Sequence, residues 1–527
     1  MHSSFSRALC ALLCACAVNG RVLAQAAPIA EQQVTFVYDS GALANTAASE
    51  QVLASHTVRV AHASWIRLRF QMVDLGSASG ADQGAFLRIT SHADGAVQEL
   101  HAQHVREWRL TSAYFNGDAV QLDLVAPPGA GPSRVILRNV WIGPQLSPQF
   151  NLCGPTDDRL PSSDVRAARL LPYGCSGWMF DDAAHGFITA GHCVLSTAVP
   201  NSLLDVAQFN VPKSNAAGVL QHPSPDHQYA IDDTSLQFEN GGVGNDWGYF
   251  GCFPNPNTGL TPFQAQGACY ALAAPPTFNP NEVLRVTGFG TDMTPDPTLN
   301  QVQQSHAGPF ASFNGTVLRY EVDTTGGNSG SAVSWNSPAG EFAVGVHTHA
   351  GCSAAAPFLG NYGTSSQQAN WVAARANPRG VCLPTSAVST YCTAKVNSLG
   401  CTPSLGALGA PSASGGAGSF TIRASNLINH KVGLLFYGFM PAAKPFHAGF
   451  KCIDAPVKRT PPSSTGGALA GSDCSGVLDY DMGARIASGV DPHLVLGAVV
   501  YAQVWSRDPA DPTSTNLTGG LRFTIGP

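Results

Sequence analysis

The segment Asp323-Thr-Thr-Gly-Gly-Asn-Ser-Gly-Ser-Ala-Val333 places a serine among glycines, between two apolar runs. Residues 317–322 alternate in a way that is typical of a strand, and residues 342–346 form the second run. Because glycine accepts positive φ, a tight loop can turn the amide N–H groups of Gly327 and Ser329 inward. Two such amides can stabilise an oxyanion beside the Ser329 hydroxyl. Taken alone, the segment also fits an ordinary polar hairpin.

Two further segments supply partners for a serine nucleophile. His192 follows an apolar run in Gly186-Phe-Ile-Thr-Ala-Gly-His-Cys-Val194, and histidine is the usual base for a hydroxyl nucleophile. Asp246 opens an apolar run in Gly244-Asn-Asp-Trp-Gly-Tyr-Phe250, where a partly buried carboxylate can hold an imidazole in the required tautomer. The chain therefore predicts a triad in the order His, Asp, Ser. Asp232 and Asp233 are the alternative candidates for this carboxylate, but they lie in a polar stretch.

This order, together with Thr189-Ala-Gly-His-Cys193 and Gly327-Asn-Ser-Gly-Ser331, resembles the trypsin-like serine peptidases. Thr324-Thr-Gly-Gly-Asn-Ser-Gly-Ser331 and Gly345-Val-His-Thr348 bring the resemblance closest to bacterial glutamyl-endopeptidase-like enzymes, over residues 152–382. The resemblance implies two packed β-barrels with the catalytic cleft between them, followed by a C-terminal helix. It also implies that neither a metal nor an organic cofactor takes part.

The same resemblance implies a role for each residue of the site. His192 is the expected base, Asp246 the carboxylate that orients it, and Ser329 the nucleophile. The amides of Gly327 and Ser329 are the expected oxyanion hole. The neighbouring hydroxyl of Ser331 lies two residues beyond the position that the motif gives to the nucleophile.

Two features of the expected specificity pocket predict opposite substrates. Asp323 lies six residues before the nucleophile, where trypsin-like enzymes have the base of the pocket, and its charge favours Arg or Lys. His347 resembles the histidine with which glutamyl endopeptidases bind a carboxylate, and Thr324 fits the same pattern. A histidine N–H can donate to a substrate carboxylate. We therefore predict cleavage after acidic residues, with cleavage after basic residues as the alternative.

The composition limits the function classes. The chain has 527 residues, enough for about three domains, and only 12% of them are charged. Abundant glycine and proline suit loop-rich β domains. The formal net charge of −6 and the lack of a Lys/Arg-rich run argue against nucleic-acid binding. The 16 histidines show no convincing zinc spacing, so no metal site is predicted.

The N-terminus is typical of an export signal. Arg7 precedes an apolar run at residues 8–18 that is too short to span a bilayer comfortably. Val22-Leu-Ala24 fits a cut before Gln25, so residues 1–24 are the predicted signal peptide of a secreted protein. A lipoprotein signal at Leu13-Cys-Ala-Cys16 is the alternative. No later stretch predicts a membrane span.

Export would expose the cysteines to an oxidising compartment. Three of the 14 cysteines lie in the predicted signal peptide. The resemblance implies a disulfide between Cys175 and Cys193, beside the catalytic histidine. The remaining pairs are guesses, because connectivity does not follow from sequence. The expected pairs are Cys252–Cys269, Cys392–Cys401, Cys452–Cys474 and Cys153–Cys382, with Cys352 left free or intermolecular.

Residues 25–148 are predicted to form an antiparallel β-sandwich. Residues 65–70 alternate apolar Ile66, Leu68 and Phe70 with charged Arg67 and Arg69, which are expected on the solvent-exposed face. Residues 120–124 alternate in the same way, and the runs 134–138 and 140–142 indicate further strands. We interpret this part as an accessory domain, as a module that binds carbohydrate or another cell-surface ligand, or as a propeptide.

Residues 149–384 are the predicted peptidase domain, with a helix at 368–376 and a disulfide-stapled loop at 249–280. Residues 385–527 contain further strands and are predicted to be a C-terminal β-sandwich module with a binding, secretion or stability role. The whole fold is thus predicted to be all-β.

The predicted function is a secreted serine endopeptidase that acts on proteins or peptides. One rival is an inactive protease-fold protein that only binds surfaces. The other is an esterase that uses the same triad. The α/β-hydrolase type of esterase is disfavoured, because its order is Ser, Asp, His and no Gly-x-Ser-x-Gly elbow is present.

Overall fold

The computed structural model describes residues 26–29, 31–77, 84–143, 150–195, 203–279, 281–292, 294, 296–352, 360–383 and 388–526. Strands dominate the described residues and nearly all strand pairs are antiparallel, so the all-β prediction is confirmed. The expected signal peptide at residues 1–24 lies outside the described residues. No helix in the described part of the chain has the length and apolar character needed to cross a bilayer.

Eight strands and one short helix build the N-terminal sandwich (residues 31–143). They are β1 (Gln32–Asp39), β2 (Gln51–Arg59), β3 (Trp65–Asp74), β4 (Phe86–Ser91), β5 (Val97–Leu100), α1 (Ala102–Glu107), β6 (Phe115–Asn116), β7 (Ala119–Ala126) and β8 (Arg134–Ile142). They form two four-stranded sheets with the orders β1-β8-β3-β6 and β2-β7-β4-β5. The alternation on β3 buries Ile66, Leu68 and Phe70, as predicted.

Two sheets of different shape make up the central domain (residues 150–383). Its strands are β9 (Phe150–Asn151), β10 (Leu160–Pro161), β11 (Ala167–Leu171), β12 (Cys175–Met179), β13 (Phe187–Thr189), β14 (Val206–Gln208), β15 (Gln228–Ala230), β16 (Gln237–Asn240), β17 (Asp246–Phe250), β18 (Ala271–Leu272), β19 (Val283–Gly288), β20 (Gln304–Phe313), β21 (Val317–Tyr320), β22 (Thr324–Thr325), β23 (Ala332–Ser337), β24 (Gly340–His349) and β25 (Asn361–Ser365). The first sheet is open, with the order β15-β14-β11-β12-β13-β17-β16. The second has the order β10-β20-β19-β23-β24-β25-β21, and pairing of β20 with β21 closes it into a barrel.

Helices are short in the central domain. The α-helices are α2 (Pro262–Gln266) and α3 (Ala369–Ala376), and the 3-10 helices are Gly191–Cys193, Pro225–His227, Asp233–Ser235, Pro297–Leu299 and Gly380–Cys382. Helix α3 is the helix predicted at residues 368–376. It begins after Gln368, whose side chain accepts the Trp371 N–H at 2.7 Å, and Trp371 itself is buried. The capped first turn and the buried tryptophan fix this helix against the open sheet and the closed barrel.

The N-terminal sandwich and the central domain share a core and a buried ion pair. Leu171 and Val206 of the central domain belong to the same apolar cluster as the sandwich interior. Arg67 was expected on the wet face of β3, and this is wrong. Its side chain is buried because Nη1 lies 2.6 Å from Asp205 Oδ2 of the central domain. Arg109 pairs with the other oxygen of Asp205.

The last part of the chain, the C-terminal sandwich (residues 388–526), contains two facing sheets and a hairpin. Its elements are β26 (Val388–Tyr391), β27 (Ser404–Gly409), β28 (Phe420–Leu427), β29 (Val432–Gly438), β30 (Pro441–Phe446), β31 (Gly449–Ile453), β32 (Lys458–Arg459), β33 (Ser463–Ser464), β34 (Gly476–Asp481), α4 (Met482–Ala487), β35 (Val499–Arg507), β36 (Thr515–Leu517) and β37 (Gly520–Thr524). The larger sheet follows the path β26-β37-β35-β29-β32, the smaller has the order β27-β28-β34, and β30 pairs with β31. Phe420, Leu435 and Phe523 lie in the core between the sheets.

Four disulfides join described cysteines: Cys153–Cys352, Cys175–Cys193, Cys392–Cys452 and Cys401–Cys474. The expected pairs Cys153–Cys382, Cys392–Cys401, Cys452–Cys474 and Cys252–Cys269 are therefore wrong, and Cys352 is not unpaired. Cys252, Cys269 and Cys382 are thiols, so the loop at 249–280 is not stapled. Three of the guesses paired the nearest cysteines in sequence. In the structure Cys392, after β26 of the larger sheet, bonds Cys452 of the β30-β31 hairpin, and Cys401, before β27, bonds Cys474, before β34 of the same smaller sheet.

Candidate active site

His192 lies in the 3-10 helix Gly191–Cys193, directly after β13. The disulfide from Cys193 to Cys175 on β12 ties this short helix to the open sheet. The His192 backbone N–H donates to Asp246 Oδ1 at 2.9 Å. Its side chain is 9% exposed, so only an edge of the imidazole reaches solvent.

Asp246 is the first residue of β17 and is fully buried. Its Oδ2 lies 2.6 Å from His192 Nδ1, while Oδ1 accepts the backbone bond already described. Two bonds from one carboxylate to one histidine fix both the position and the tautomer of the ring. The Asp246 N–H donates to Thr364 Oγ1 of the barrel at 3.3 Å, which links the two sheets at this point.

Ser329 lies in the loop between β22 and β23, and its Oγ is 2.7 Å from His192 Nε2. The loop is held on both sides. The Ser176 N–H donates to Ser329 O at 2.8 Å, and the Gly330 N–H donates to His347 O at 2.8 Å. The structure thus brings the three predicted triad residues together from three distant segments.

The loop before and after Ser329 depends on glycine. Gly327 and Gly330 have φ of +99° and +87°. A Cβ on Gly327 would lie 2.4 Å from Phe289 O, and one on Gly330 would lie 2.0 Å from Ser176 O. Both the backbone conformation and the space therefore require glycine. This turn carries the two amides, of Gly327 and Ser329, that were predicted to form the oxyanion hole.

Asp323 is 3% exposed, and its carboxylate is occupied by backbone donors. Oδ1 accepts the Cys153 N–H at 2.7 Å, and Oδ2 accepts the Asp158 N–H at 2.9 Å. The Asp323 N–H donates to His306 Nδ1 at 2.8 Å. These bonds tie the segment that enters the central domain to the strand before the serine loop.

His347 lies buried on β24, with Nδ1 2.7 Å from the Tyr320 hydroxyl. Burial, together with His349 and His192 nearby, lowers the pKa of His347 to about 3, so the ring is neutral above that pH. Burial raises the pKa of Tyr320, so its hydroxyl keeps its proton. The third pocket residue, Thr324, is buried and accepts a bond from Asn361 Nδ2 at 2.8 Å.

Two residues near the triad escaped sequence analysis. Ser176 Oγ donates to Gly327 O at 2.9 Å, so this serine holds the loop through its side chain as well as its backbone. His349 Nδ1 lies 3.7 Å from Asp246 Oδ2. Burial lowers the pKa of His349, with Asp246 opposing the effect and His192 adding to it. The spacing of His347 and His349 by two would suggest one face of a regular strand, but the strand register shifts between them, so sequence spacing alone does not place His349.

The competing residues have other roles. Asp232 accepts the Thr234 N–H at 3.0 Å and the Val381 N–H at 2.8 Å, so its carboxylate caps a 3-10 helix. Ser331 is buried, and its Oγ accepts a bond from Asn328 Nδ2 at 3.4 Å within the serine loop. These contacts account for both side chains without the imidazole.

Two groups of described residues bring ligand-type atoms within 4.8 Å of one another: Cys175, His192 and Cys193, and Asp158, His306 and Asp323. In the first group both sulfurs belong to a disulfide. In the second, both oxygens of Asp323 accept backbone N–H groups. These atoms are therefore already bonded to protein partners.

Neither a family model nor a curated protein sequence matches the chain. Solved structures do. A structure of Glu endopeptidase in complex with MPD is 18% identical, covers 43% of this chain and 98% of that chain, and has a TM-score of 0.33. A thermostable serine protease, AL20, from an extremophilic microorganism is 16% identical, covers 38% of this chain and 88% of that chain, and has a TM-score of 0.28.

The architecture of the central domain and the position of the site can be described from the strand orders alone. His192 and Asp246 come from the open sheet, Ser329 comes from a loop of the closed barrel, and a helix follows the barrel. This is the arrangement that the sequence resemblance implies. The central domain thus has an open sheet and a closed barrel, with the three predicted residues where the two meet.

Proposed function

We propose that the chain is a serine endopeptidase that acts through His192, Asp246 and Ser329. The observation that carries this proposal is one unbroken chain of hydrogen bonds. It runs from Asp246 Oδ2 to His192 Nδ1 at 2.6 Å, and from His192 Nε2 to Ser329 Oγ at 2.7 Å. Both distances are within reach for proton transfer between a nucleophile and its base.

The proposed mechanism follows from this order. Ser329 Oγ attacks a peptide carbonyl while His192 Nε2 accepts its proton, and Asp246 stabilises the imidazolium that forms. The amides of Gly327 and Ser329 are proposed to receive the oxyanion. His192 then returns the proton to the leaving amine, which leaves an acyl-enzyme on Ser329. Water activated by the same imidazole hydrolyses the ester.

For specificity, we propose cleavage after acidic residues. Asp323 supports this choice, because its carboxylate is buried and satisfied by the Cys153 and Asp158 amides instead of offering charge to a basic side chain. His347 supports it as well. Its ring is neutral and lies beside the Tyr320 hydroxyl, and we propose that this neutral imidazole donates an N–H to the substrate carboxylate.

The activity test is a Ser329→Ala variant of the whole protein, assayed on a mixed peptide library. Loss of a triad member typically lowers the rate by roughly 10⁴–10⁶, and the variant should remain folded because the methyl side chain fits where Cβ already lies. Near-normal hydrolysis by the purified variant would overturn the assignment. An organophosphate that labels wild type and not the variant would exclude the inactive surface-binding protein. Ester hydrolysis without peptide hydrolysis would favour the esterase instead.

The specificity test uses the cut sites in the same digest. Clustering after Glu and Asp supports the proposal. Clustering after Lys or Arg would mean that His347 is only a wall of the pocket, and would leave the triad assignment intact.

We further propose that the protein is secreted after removal of residues 1–24, and that the chain divides into domains at 25–148, 149–384 and 385–527. Four disulfides among the described cysteines support an oxidising compartment. The core that the N-terminal sandwich shares with the central domain favours an accessory domain over a propeptide that is shed. The expected carbohydrate ligand gains no support from the described residues.

A further inference from the structure

The larger sheet of the C-terminal sandwich carries an apolar patch on its outer face, beside the polar Gln503. On β29, Leu435 and Tyr437 point into the core, so Leu434 and Phe436 lie on the opposite, outer face. The register pairs Leu434 with Trp505, which extends this apolar outer face onto β35. A sheet with one side open to water normally carries polar side chains on that side. The apolar patch on the outer face is therefore expected to be covered by another part of the chain or by a ligand.

The hairpin formed by β30 and β31 covers only part of this face. It is held to the sheet by Gln503, which donates to Phe450 O at 2.9 Å and accepts the Cys452 N–H at 2.9 Å. The disulfide from Cys452 to Cys392 anchors the same hairpin. Between the hairpin and the sheet remains a cavity of about 340 Å³. This volume is at the lower end of the range for sites that bind small molecules.

The lining of this cavity combines an apolar floor with two cations. Leu434, Phe436 and Trp505 contribute from the sheet, Lys451 from the hairpin, and Arg459 from β32. None of the described lining residues is acidic. Neither Lys451 nor Arg459 forms an ion pair with a described residue. The carboxylate of Asp454 pairs with Lys444 of the same hairpin and feels the charge of Lys451 from a greater distance.

We propose that this cavity binds a small ligand with an apolar body and a single anionic head, such as a carboxylate, sulfate or phosphate. The apolar body would lie on Leu434, Phe436 and Trp505, where its burial removes apolar surface from water. The anionic head would bind Lys451 and Arg459 through charge-assisted hydrogen bonds. The cavity has room for a ligand whose apolar body is one short alkyl chain or one ring. The site belongs to the C-terminal sandwich and does not depend on the proposed peptidase activity.

The test is isothermal titration of the full-length protein with decanoate below its micelle concentration, beside neutral 1-decanol and cationic decyltrimethylammonium. Decanoate should bind with one-to-one stoichiometry and at least about tenfold more tightly than either of the others, the difference expected for a charge-assisted contact. The double variant Lys451→Gln/Arg459→Gln should lose that advantage and bind decanoate like decanol.

The matched control is Arg423→Gln, which removes an exposed cation from β28 in the other sheet and should leave decanoate binding unchanged. Phe446→Gln, on the half-exposed hairpin wall, should weaken all three ligands alike. The proposal fails if wild type binds no amphiphile, if it binds decanoate and decanol equally, or if it binds only anionic vesicles or acidic peptides. Circular dichroism of each variant verifies that the sandwich is folded.

Discussion

An Asp205→Asn variant would remove the carboxylate through which the central domain pairs with two arginines of the N-terminal sandwich. Arg67 Nη1 lies 2.6 Å from Asp205 Oδ2, and Arg109 pairs with Oδ1. The remaining donors of Arg67 bind Ser112 O and Thr111 Oγ1, at 2.8 Å and 2.7 Å. In the variant, the buried guanidinium would keep these neutral partners and lose the carboxylate with which it pairs, while Glu31 remains as a more distant negative charge.

Removing one partner of a buried pair typically costs about 3–5 kcal/mol, because the other charge stays buried. The Arg67 side chain is 1% exposed and that of Asp205 is 15% exposed, so water reaches one side of the pair. We therefore expect the lower end of the range, about 3 kcal/mol. With a urea slope of roughly 2–3 kcal/mol per molar, the unfolding midpoint should fall by about 1–1.5 M.

The same pair predicts a dependence on pH. Burial alone would raise the pKa of Asp205, but Arg67 and Arg109 hold it below its ordinary value. A lowered carboxyl pKa stabilises the fold fully above the unfolded value of about 4, and this stabilisation is lost as pH falls through the folded value. The Asp205→Asn variant should lack this part of the acid destabilisation.

Urea unfolding of the full-length protein, followed by circular dichroism at pH 7 and at pH 3, measures both effects. The control is Asp118→Asn, which breaks the exposed pair with Arg59 in the same sandwich and should leave the midpoint unchanged. If Asp205→Asn unfolds at the wild-type midpoint, the buried pair does not hold the two parts together and the reasoning is refuted.

Two further predictions concern the pocket and the C-terminal sandwich. His347→Gln should reduce the ratio of kcat/KM for Glu over Gln substrates at least about tenfold. In wild type this ratio should stay constant from pH 6 to 8, because the pKa of His347 is about 3. A ratio that collapses as pH rises through 6.5 would show that a charged imidazole is required. Cys401→Ser opens a disulfide with a sequence separation of 73, and should lower the stability of the C-terminal sandwich by about 4 kcal/mol without loss of peptide hydrolysis. Calorimetry measures the stability and the library digest measures the hydrolysis. An unchanged melting temperature would contradict the prediction.

The proposed triad residues and α3 could be identified from sequence because each lies in a short segment. His192, Asp246 and Ser329 all sit in local motifs at the edge of an apolar run, and the spacing of residues within a motif is visible in one dimension. The same holds for α3, where the polar cap Gln368 and the buried Trp371 are three residues apart. Local patterns carry this information because the contacts that they encode are themselves local.

Contacts between distant segments could not be predicted. Arg67 alternates with apolar neighbours exactly as an exposed residue would, and only the position of Asp205, far along the chain, explains its burial. The disulfides follow the same logic. Cys153 bonds Cys352, where the sequence suggested Cys382, and Cys392 and Cys401 bond Cys452 and Cys474 instead of each other. Such pairings depend on how the sheets pack, which the local pattern does not contain.

Asp323 shows both what a local pattern predicts and what only a contact between distant segments explains. Its distance from Ser329 along the chain is what suggested a basic substrate, and that spacing is correct. The amides of Cys153 and Asp158 reach its two oxygens only because the segment entering the central domain folds back against the strand before the serine loop. A carboxylate that already accepts two backbone hydrogen bonds would lose them by turning towards a substrate, and would leave buried donors unsatisfied. The residue that spacing assigns to the pocket is thus held by the fold for another purpose, and the proposed preference for acidic substrates rests on His347.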